Sequence, residues 1–561
     1  MQSIMLSETF QIILRKLLGI TCFLLFGPFL VIILMFLYIY RCSIEIILKI
    51  QLKDKFAGIL EGSDAFWSIE DVSLSMVTVV ILLKKPAGST NTIFLKNVRN
   101  FFSHLSKTIP TELKKLFYYR YQKYGYFYWD KSHKFNPETA IRWLECENNT
   151  CDGSCENLYS TTFQENLSSI CNRPLYDNHK PMWEMLVGRR CPKSSSSIEE
   201  DPSLSLEDRF NTDIDEIPIV FRYHHSLGDG VAFSNLFNKV IFDDGVIKEH
   251  SSIMNFKNDI STAKEHHFIE KRRTSLKRKI ITNLKEVYTK IKKITKTIIS
   301  IFFAFEIYMS QLVRSADKSV LRGQPLTGEK LLFSYMENDA NNSQLFMKIR
   351  KIKHCTGANF NDIILTAFAG GLIKFYSRIQ EIIPDSVSVV IPTRMSAPDE
   401  KLLLTNKFSS LSIKCCFIDG DKRDISTLNK SSRFFERLQK TASINNRIRN
   451  SFEAPINFFL MNHVYGLLPT RVLRLFSAYF CIMAYSNLKG SQSKVHILKH
   501  PMSNVMLSIP HKSTTGLALT LISYADKLTL CLAVDKAIIG DMILIREIIE
   551  ETVREINSAY D

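Results

Sequence analysis

The sequence predicts an α/β protein folded in two halves behind one N-terminal membrane-spanning helix. Three observations carry this. The 24 residues from Leu17 to Tyr40 hold no charge. From about Phe56 onward, short β-branched runs alternate with stretches of helical period, the pattern of the α/β class. That alternation falls into two blocks, 56–245 and 326–561, separated by a strongly basic stretch, 246–325. With 561 residues, 45% of them hydrophobic, the chain can bury more than one core.

The elements follow in order. Residues 1–16 form a tail ending in Arg15-Lys16. The uncharged run 17–40, as a helix, covers ~36 Å at 1.5 Å per residue, enough to cross a bilayer, and Pro28 predicts a kink inside it. It is long for the apolar part of a signal peptide, and no small-residue cleavage site follows. Arg41, Lys49, Lys53 and Lys55 outnumber Arg15 and Lys16, which places the C-terminal part in the cytosol. The expected location is a single-pass membrane position in the endoplasmic reticulum, with the plasma membrane as the alternative.

In the first block, Ser75 to Leu83, Pro181 to Val187 and Ile217 to Tyr223 read as strands, Asn97 to Tyr119 as helical or irregular, and Val231 to Phe242 as helical. Ser194 to Asp208 is polar and low in complexity and reads as a surface loop. Lys264 to Lys296 holds 12 Lys or Arg against three Glu, with Ile280, Leu284, Val287, Ile291, Ile294 and Ile298 on one helical face. Two readings stay open for it: a surface helix with a solvated basic face, or a helix lying in a membrane interface against anionic headgroups. In the second block, Ser343 to Ile352, Ser386 to Ile391 and Ser409 to Phe417 read as strands and Asn361 to Tyr376 as a helix. Ile456 to Tyr485 reads as buried or peripheral helices. Leu517 to Tyr524 and Lys527 to Val534 form a hairpin around Ala525-Asp526, and Ile538 to Asn557 closes the chain as an amphipathic helix.

The net charge is +16, from 72 Lys+Arg against 56 Asp+Glu, and favours an anionic partner. The 38 Phe point to lipid or apolar pockets, and nucleic acid is not an expected partner. Twelve cysteines are too few for a disulfide scaffold at this length. Cys146, Cys151, Cys155 and Cys171 cluster at spacings of five, four and sixteen, which suits a zinc site poorly and leaves lumenal disulfides or free thiols open. No metal is expected. Asn148-Asn149-Thr150, Asn166-Leu167-Ser168, Asn341-Asn342-Ser343 and Asn429-Lys430-Ser431 are glycosylation triplets. With the cysteines, they argue against the cytosolic placement.

Chemistry concentrates at Tyr223-His224-His225-Ser226-Leu227-Gly228-Asp229-Gly230, directly after a strand. Histidine titrates nearest neutrality and is the default base for activating a hydroxyl. Successive strand residues face opposite ways, so one histidine serves as base and the other as support. Gly228 and Gly230 suit a tight turn, and Asp229 can fold back to fix it. Asn361-Asp362, after Gly357, reads either as a helix cap or as a polar group presented to a pocket. A lone Trp such as Trp183 is ordinarily core. No Walker loop, G-x-G-x-x-G, H-E-x-x-H or G-x-S-x-G occurs, so nucleotide hydrolysis, dinucleotide redox, zinc proteolysis and α/β-hydrolase chemistry lack support.

The cluster from His224 to Gly230 resembles the H-H-x-x-x-D-G motif of acyl-CoA-dependent acyltransferases of the chloramphenicol-acetyltransferase-like fold. Its neighbours resemble the wax ester synthase/diacylglycerol acyltransferase family in particular. Asp64-Ala65-Phe66-Trp67 is similar to that family's opening motif, and Pro181-Met182-Trp183-Glu184 to its P-L-W-E stretch, with Met182 for Leu. Asn361-Asp362-Ile363-Ile364-Leu365 is similar to its N-D-V-V-L helix, Ile391-Pro392-Thr393-Arg394 to V-P-V-S-x-R, and Ser486-Asn487-Leu488-Lys489-Gly490 to S-N-V-P-G. Thr405-Asn406 stands where the family has Gly-Asn. The order holds over about residues 56–561, and the anchor and basic segment resemble animal membrane-anchored forms. The D-F-G-W-G segment of plant acyltransferases is absent, as are the carrier domains that accompany peptide-forming condensation domains.

The resemblance implies two similar sandwich halves with a tunnel at their interface, open to acyl-CoA on one side and to a fatty alcohol or diacylglycerol on the other. It implies His225 as general base, Asp229 as loop architecture and His224 as support. Asn361, Asp362, Trp183 and Gly230 become residues of the substrate site. Acyl-CoA is then a co-substrate and no further cofactor is expected. A different acceptor on the same fold, or a membrane-tethered lipid-binding homologue without activity, are the alternatives.

Overall fold

The computed structural model describes residues 2–70, 72–146, 154–175, 181–191, 214–243, 304, 306–307, 311, 319–322, 325–337, 344–395, 403–418, 430–475 and 481–560. The basic helix expected over Lys264 to Lys296, the loop Ser194 to Asp208 and three of the four glycosylation triplets fall, wholly or in their asparagine, outside these residues.

In chain order the strands are β1 (Phe56–Ile59), β2 (Met76–Lys84), β3 (Tyr119–Lys123), β4 (Tyr126–Asp130), β5 (Ile141–Trp143), β6 (Trp183–Val187), β7 (Glu216–His224), β8 (Lys330–Met336), β9 (Ser386–Arg394), β10 (Phe408–Cys416), β11 (Met483–Lys489), β12 (His496–Ile497), β13 (His500–Ser508), β14 (Leu517–Tyr524) and β15 (Lys527–Asp535). They build two six-stranded sheets, ordered β12-β13-β2-β7-β6-β5 and β10-β9-β11-β14-β15-β8, and one small sheet, β1-β4-β3. Each large sheet packs a core against its own helices. A third core joins the sheets, with Val80, Leu186, Val220 and Met506 meeting Leu332, Ala518, Cys531 and Ala533.

The second half lends strands to the first sheet. After β11 the chain leaves the second sheet and supplies β12 and β13 to the first, where β13 pairs antiparallel with β2. It then returns as β14, parallel to β11. Block 326–561 therefore does not form one sheet by itself. The exposed edge of β8 is closed by a helix of the first half, Thr161–Asn172. Gln164, Ser168 and Asn172, four residues apart and so on one helical face, bond alternate backbone groups of β8. Ser334 N–H donates to Gln164 Oε1 (3.1 Å), Leu332 N–H to Ser168 Oγ (2.9 Å) and Lys330 N–H to Asn172 Oδ1 (2.8 Å). This satisfies edge groups that would otherwise recruit a foreign strand. It also buries Asn166 and Ser168, so the triplet Asn166-Leu167-Ser168 is closed to glycosylation in the folded protein.

The N-terminal helix runs from Gln2 to Leu52, farther than the uncharged run, with Pro28 inside it. Its segment Leu17–Lys55 is long and apolar enough to cross a membrane. Its last turns are held by the small sheet, where Ile44 and Leu48 pack on Ile59, Tyr126 and Tyr128.

Two expectations are corrected. Ser343 to Ile352 is not a strand: Leu345–Thr356 is a helix that buries Leu345, Ile349 and Ile352 at intervals of four and three, ending at Gly357 with φ 70°. That left-handed conformation suits glycine. The stretch Ile456 to Tyr485 begins with helices, but its end enters β11, because Tyr485 and Met483 face the second core. The hairpin is as expected: Ala525 and Asp526 take φ 45° and 66° between the paired strands β14 and β15. Paired positive φ values give the turn whose twist matches the strands.

Candidate active site

β7 lies between β2 and β6 in the first sheet. Alternation along it sends Tyr223 and His224 to opposite sides. The strand ends at His224, a 3₁₀ turn carries His225–Leu227, and the helix Gly230–Leu236 follows. Asp229 caps that helix, its Oδ1 accepting from Ala232 N–H at 2.9 Å. Its Oδ2 accepts from Lys407 N–H of the second half at 3.1 Å. Burial pushes its carboxyl above the ordinary range, against the pull of these amides. Neither glycine of the motif takes a left-handed φ. Gly228 is extended, and its need is space: a Cβ there would stand 3.2 Å from Ala232 Cβ and 3.5 Å from Thr405 N.

His225 lies against a cavity of about 320 Å³ between the sheets, walled by Val77, Tyr223 and Leu507 on one side and by Val390, Phe408 and Ala484 on the other. Its ring stacks on Trp67, centroids 3.9 Å apart and planes within 9°. Trp67 comes from the short buried helix Gly62–Ser68. His225 N–H of the main chain donates to Ser75 O, and Nδ1 meets Asn406 Oδ1 at 3.1 Å.

Asn406 settles the tautomer. Its Nδ2 donates to Asp64 Oδ1 and to His225 O, both at 2.8 Å, which turns Oδ1 toward the imidazole. An amide oxygen only accepts, so Nδ1 carries the proton and Nε2 keeps its lone pair. Asp64 is held in turn by Lys115 at 2.5 Å, and Lys115 also reaches Leu404 O. Burial holds the His225 imidazole down at about 4, with the nearby Lys512 charge adding to it and the Asn406 bond opposing. The ring is therefore neutral near pH 7, the form in which a base works. Lys512 lines the same cavity, is itself buried, and donates to Ile69 O just past the helix that carries Trp67.

His224 faces away into a different environment. Ser226 N–H donates to its Nδ1 at 3.1 Å, while Nε2 lies 3.2 Å from Glu70 Oε1 and 2.8 Å from Arg120 Nη1. Burial, then the Arg120 charge, hold its imidazole down at about 3, against Glu70. Gly230 and Asn487 line the cavity.

Three residues expected at the substrate site lie elsewhere. Trp183 is fully buried, donates its indole N–H to Leu116 O at 2.8 Å and packs on Phe102 and Phe221. Beside it Glu184 bridges Arg222 at 2.5 Å and Arg142 at 2.7 Å, so this motif builds the core of the first half. Asp362 is buried in an ion pair with Arg449 at 2.5 Å and accepts from Asn445 Nδ2 at 3.0 Å, tying the helices Phe360–Arg378 and Lys430–Arg449 together. Asn361 lies behind the cavity wall: its Oδ1 accepts from Asn487 Nδ2 at 2.9 Å and Tyr485 Oη at 3.3 Å. The second half reaches His225 through Asn406 instead, and the departure from the family pattern at Thr405 leaves that asparagine in place. Among the described residues no group of three or more His, Cys, Asp or Glu could hold a metal ion. Cys171 is buried against Thr78.

Residues 425–557 match the family described as the WS/DGAT C-terminal domain. That stretch includes Asn487 and the β14–β15 hairpin, and the resemblance read from the motifs holds there; His225 and Asn406 lie outside it. No curated protein matches the chain by sequence. Among solved structures, the wax ester synthase/diacylglycerol acyltransferase from Marinobacter aquaeolei is 14% identical, covering 89% of this chain and 99% of its own, at a TM-score of 0.49. The trichothecene 15-O-acetyltransferase from Fusarium sporotrichioides is 11% identical, covering 90% and 94%, at 0.54. The latter likeness bears out the expected α/β fold of two sheet-rich halves.

Proposed function

We propose that this protein transfers a fatty acyl group from acyl-CoA to a long-chain alcohol or diacylglycerol, making wax ester or triacylglycerol. The observation that carries the reading is the His225–Asn406 pair, which leaves an unprotonated Nε2 on a neutral ring at an apolar cavity between two sheets. In the reaction, the acceptor hydroxyl oxygen attacks the thioester carbonyl carbon while His225 Nε2 takes the hydroxyl proton. The C–S bond then breaks, and the CoA thiolate leaves with that proton. No acyl-enzyme is required.

The surroundings suit both substrates. Through Asn487 the cavity adjoins a second one of about 490 Å³, of mixed lining, that includes Arg350 and Lys489, a setting for the anionic end of CoA. Through Tyr223, Gly230 and Leu488 it adjoins a small apolar space, a setting for hydrocarbon. The long apolar helix fits an acceptor and product that partition into membranes. We place the catalytic part on the cytosolic face of the endoplasmic reticulum, where acyl-CoA is accessible, in a membrane-anchored form.

The test is ester formation by membranes containing the full chain, supplied with labelled palmitoyl-CoA and either hexadecanol or diacylglycerol. Wild type makes ester, and His225→Ala loses about 100- to 10,000-fold of the rate, the range of a general base. Equal rates from wild type and His225→Ala would remove the base assignment. No ester with either acceptor would shift the reading to another acceptor or to a non-catalytic lipid-binding role.

A further inference from the structure

Next to the His225 cavity lies a smaller apolar space of about 60 Å³. Tyr223, Gly230, Leu488 and Leu507 line both. Gly230 keeps the neck between them open: a Cβ there would stand 3.5 Å and 3.7 Å from the two methyl carbons of Leu488. The polar side chains on the rim are spent on the protein itself. Asn238 Nδ2 donates to Ser234 Oγ at 3.3 Å, Ser491 Oγ to Ser493 O at 2.8 Å and Tyr524 Oη to Met502 O at 3.0 Å. The inner walls are aliphatic and aromatic, among them Val79, Phe233, Val505 and Ile522. Whatever fills such a space is apolar, since a polar group would lose its water and gain no partner.

Phe237 ends the space. Its side chain is buried, edge-on to Phe221 with centroids 5.5 Å apart, and Phe242 lies at 5.9 Å. Past it comes a pocket of about 10 Å³ among Val98, Phe101, Phe102, Met185 and Ile497. Only Ile81 and Phe237 line both. About 10–15 Å³ holds one water-sized group, so the first space takes about four to six methylenes and the second about one. The backbone is shaped at the same point. Phe237–Ile241 is a π turn, with Phe242 N–H donating to Phe237 O at 2.9 Å. Such turns are rare and concentrate at functional sites.

We infer that this space holds the hydrocarbon chain of the acyl donor and that Phe237 sets the chain length it accepts. The inference rests on the acyl-transfer reading of the His225 cavity. Ser491 and Tyr524 line both this space and the cavity read as the setting for CoA. An acyl chain whose thioester lies at His225 and whose CoA lies past Asn487 therefore starts beside the neck. The acceptor keeps the wall of Val390, Pro392 and Phe408, which the apolar space does not touch. Each methylene beyond the end wall displaces the Phe237 ring from Phe221 and Phe242. One misfitting methylene in an apolar pocket changes a specificity ratio by about 10-fold or more.

The test varies Phe237 and reads two chain-length profiles. Membranes containing the full chain receive saturated acyl-CoAs from octanoyl to eicosanoyl with hexadecanol, then alcohols from decanol to eicosanol with palmitoyl-CoA. Phe237→Ala joins the two spaces, so the ratio of kcat/KM for stearoyl-CoA over lauroyl-CoA rises about 10-fold or more, while the alcohol profile stays in place. Phe237→Trp lowers the same ratio. Phe237→Leu gives a smaller rise and serves where the alanine protein does not fold. An acyl profile unmoved in folded variants would overturn the inference, as would a shift confined to the alcohols or an equal loss at every acyl length. Binding of the same acyl-CoAs to the full chain in nanodiscs reads the preference without turnover. A wild type that makes no ester then removes the acyl-transfer reading, and the binding profile still decides the role of Phe237.

Discussion

Two asparagines of the C-terminal half, Asn361 and Asn406, stand near the same cavity and do unlike work. Asn361 begins a long helix beside Asp362, and both side chains are spent inside their own half, on Asn487 and Tyr485 in one case and on Arg449 and Asn445 in the other. Asn406 sits in a loop before β10 and spends all its bonds across the interface, on Asp64 and His225. A helix start is anchored by its own packing. A loop between strands is free to be shaped by what it must hold. The difference teaches that the polar pair with the stronger motif builds the second half, while the asparagine in the irregular segment orients the His225 ring across the interface.

The sharpest way to break this comparison is Asp362→Ala. It leaves Arg449 with only its bond to Asn446 and removes a fully buried carboxylate with three hydrogen bonds. Breaking such a pair from one side costs about 3–5 kcal/mol, because the remaining charge stays where it is. Chemical denaturation should show that loss, while kcat per folded molecule stays within about threefold. A collapse of kcat in protein shown to be folded would return Asp362 to the substrate site.

Asn406→Ala comes next. It removes the acceptor that holds the His225 Nδ1 proton and the donor that holds the His225 carbonyl. The ring can then present either tautomer and wander from its stack on Trp67. Expected is a drop in kcat of about 10- to 100-fold, equal to about 1.4–2.7 kcal/mol, with a smaller change in thermal stability than for Asp362→Ala. Unchanged kcat would dissolve the contrast between the two asparagines.

How much of this was legible in the chain divides along the same line. Local signals were readable: β7 and its histidines, the helix from Phe360, and the hairpin whose turn residues adopt positive φ. The helix Leu345–Thr356 misled because Leu345, Phe346, Met347 and Ile349 crowd its start and mimic an apolar strand, while burial selects Leu345, Ile349 and Ile352. The transfer of β13 to the first sheet left no local mark, since pairing with β2 is decided by residues more than 400 positions away. The Asn406 contact spans 181 positions for the same reason. Trp67 was visible as part of a motif, but its stack on His225 belongs to the assembled site.

The pH profile sharpens the comparison further. Burial lowers the His225 imidazole to about 4, so the base form is full at neutral pH. The value of kcat/KM should be flat from pH 8 to 6 and fall only as pH drops through about 4. The Asn406 bond supports the protonated ring, so Asn406→Ala should move the limb to lower pH, and Asp362→Ala should leave it in place. A limb near the ordinary histidine value of about 6.5 would mean that water reaches the ring in the working enzyme.

The smallest effect belongs to Asn361→Ala. Its Oδ1 gathers two donors, Asn487 Nδ2 and Tyr485 Oη, and only Asn487 lies on the cavity. Losing the acceptor frees the Asn487 amide to turn toward solvent or substrate. That loosens one polar point at the junction of the His225 cavity with the cavity that includes Arg350 and Lys489, and leaves His225, Trp67 and Asn406 as they were. The expected outcome is kcat within about threefold, since one neutral hydrogen bond nets about 0.5–1.5 kcal/mol, and a rise in KM for acyl-CoA of a few-fold. Substrate titration of the variant separates the two. A change confined to KM keeps Asn361 behind the wall, whereas a fall in kcat as large as that of Asn406→Ala would put both asparagines at the reacting atoms.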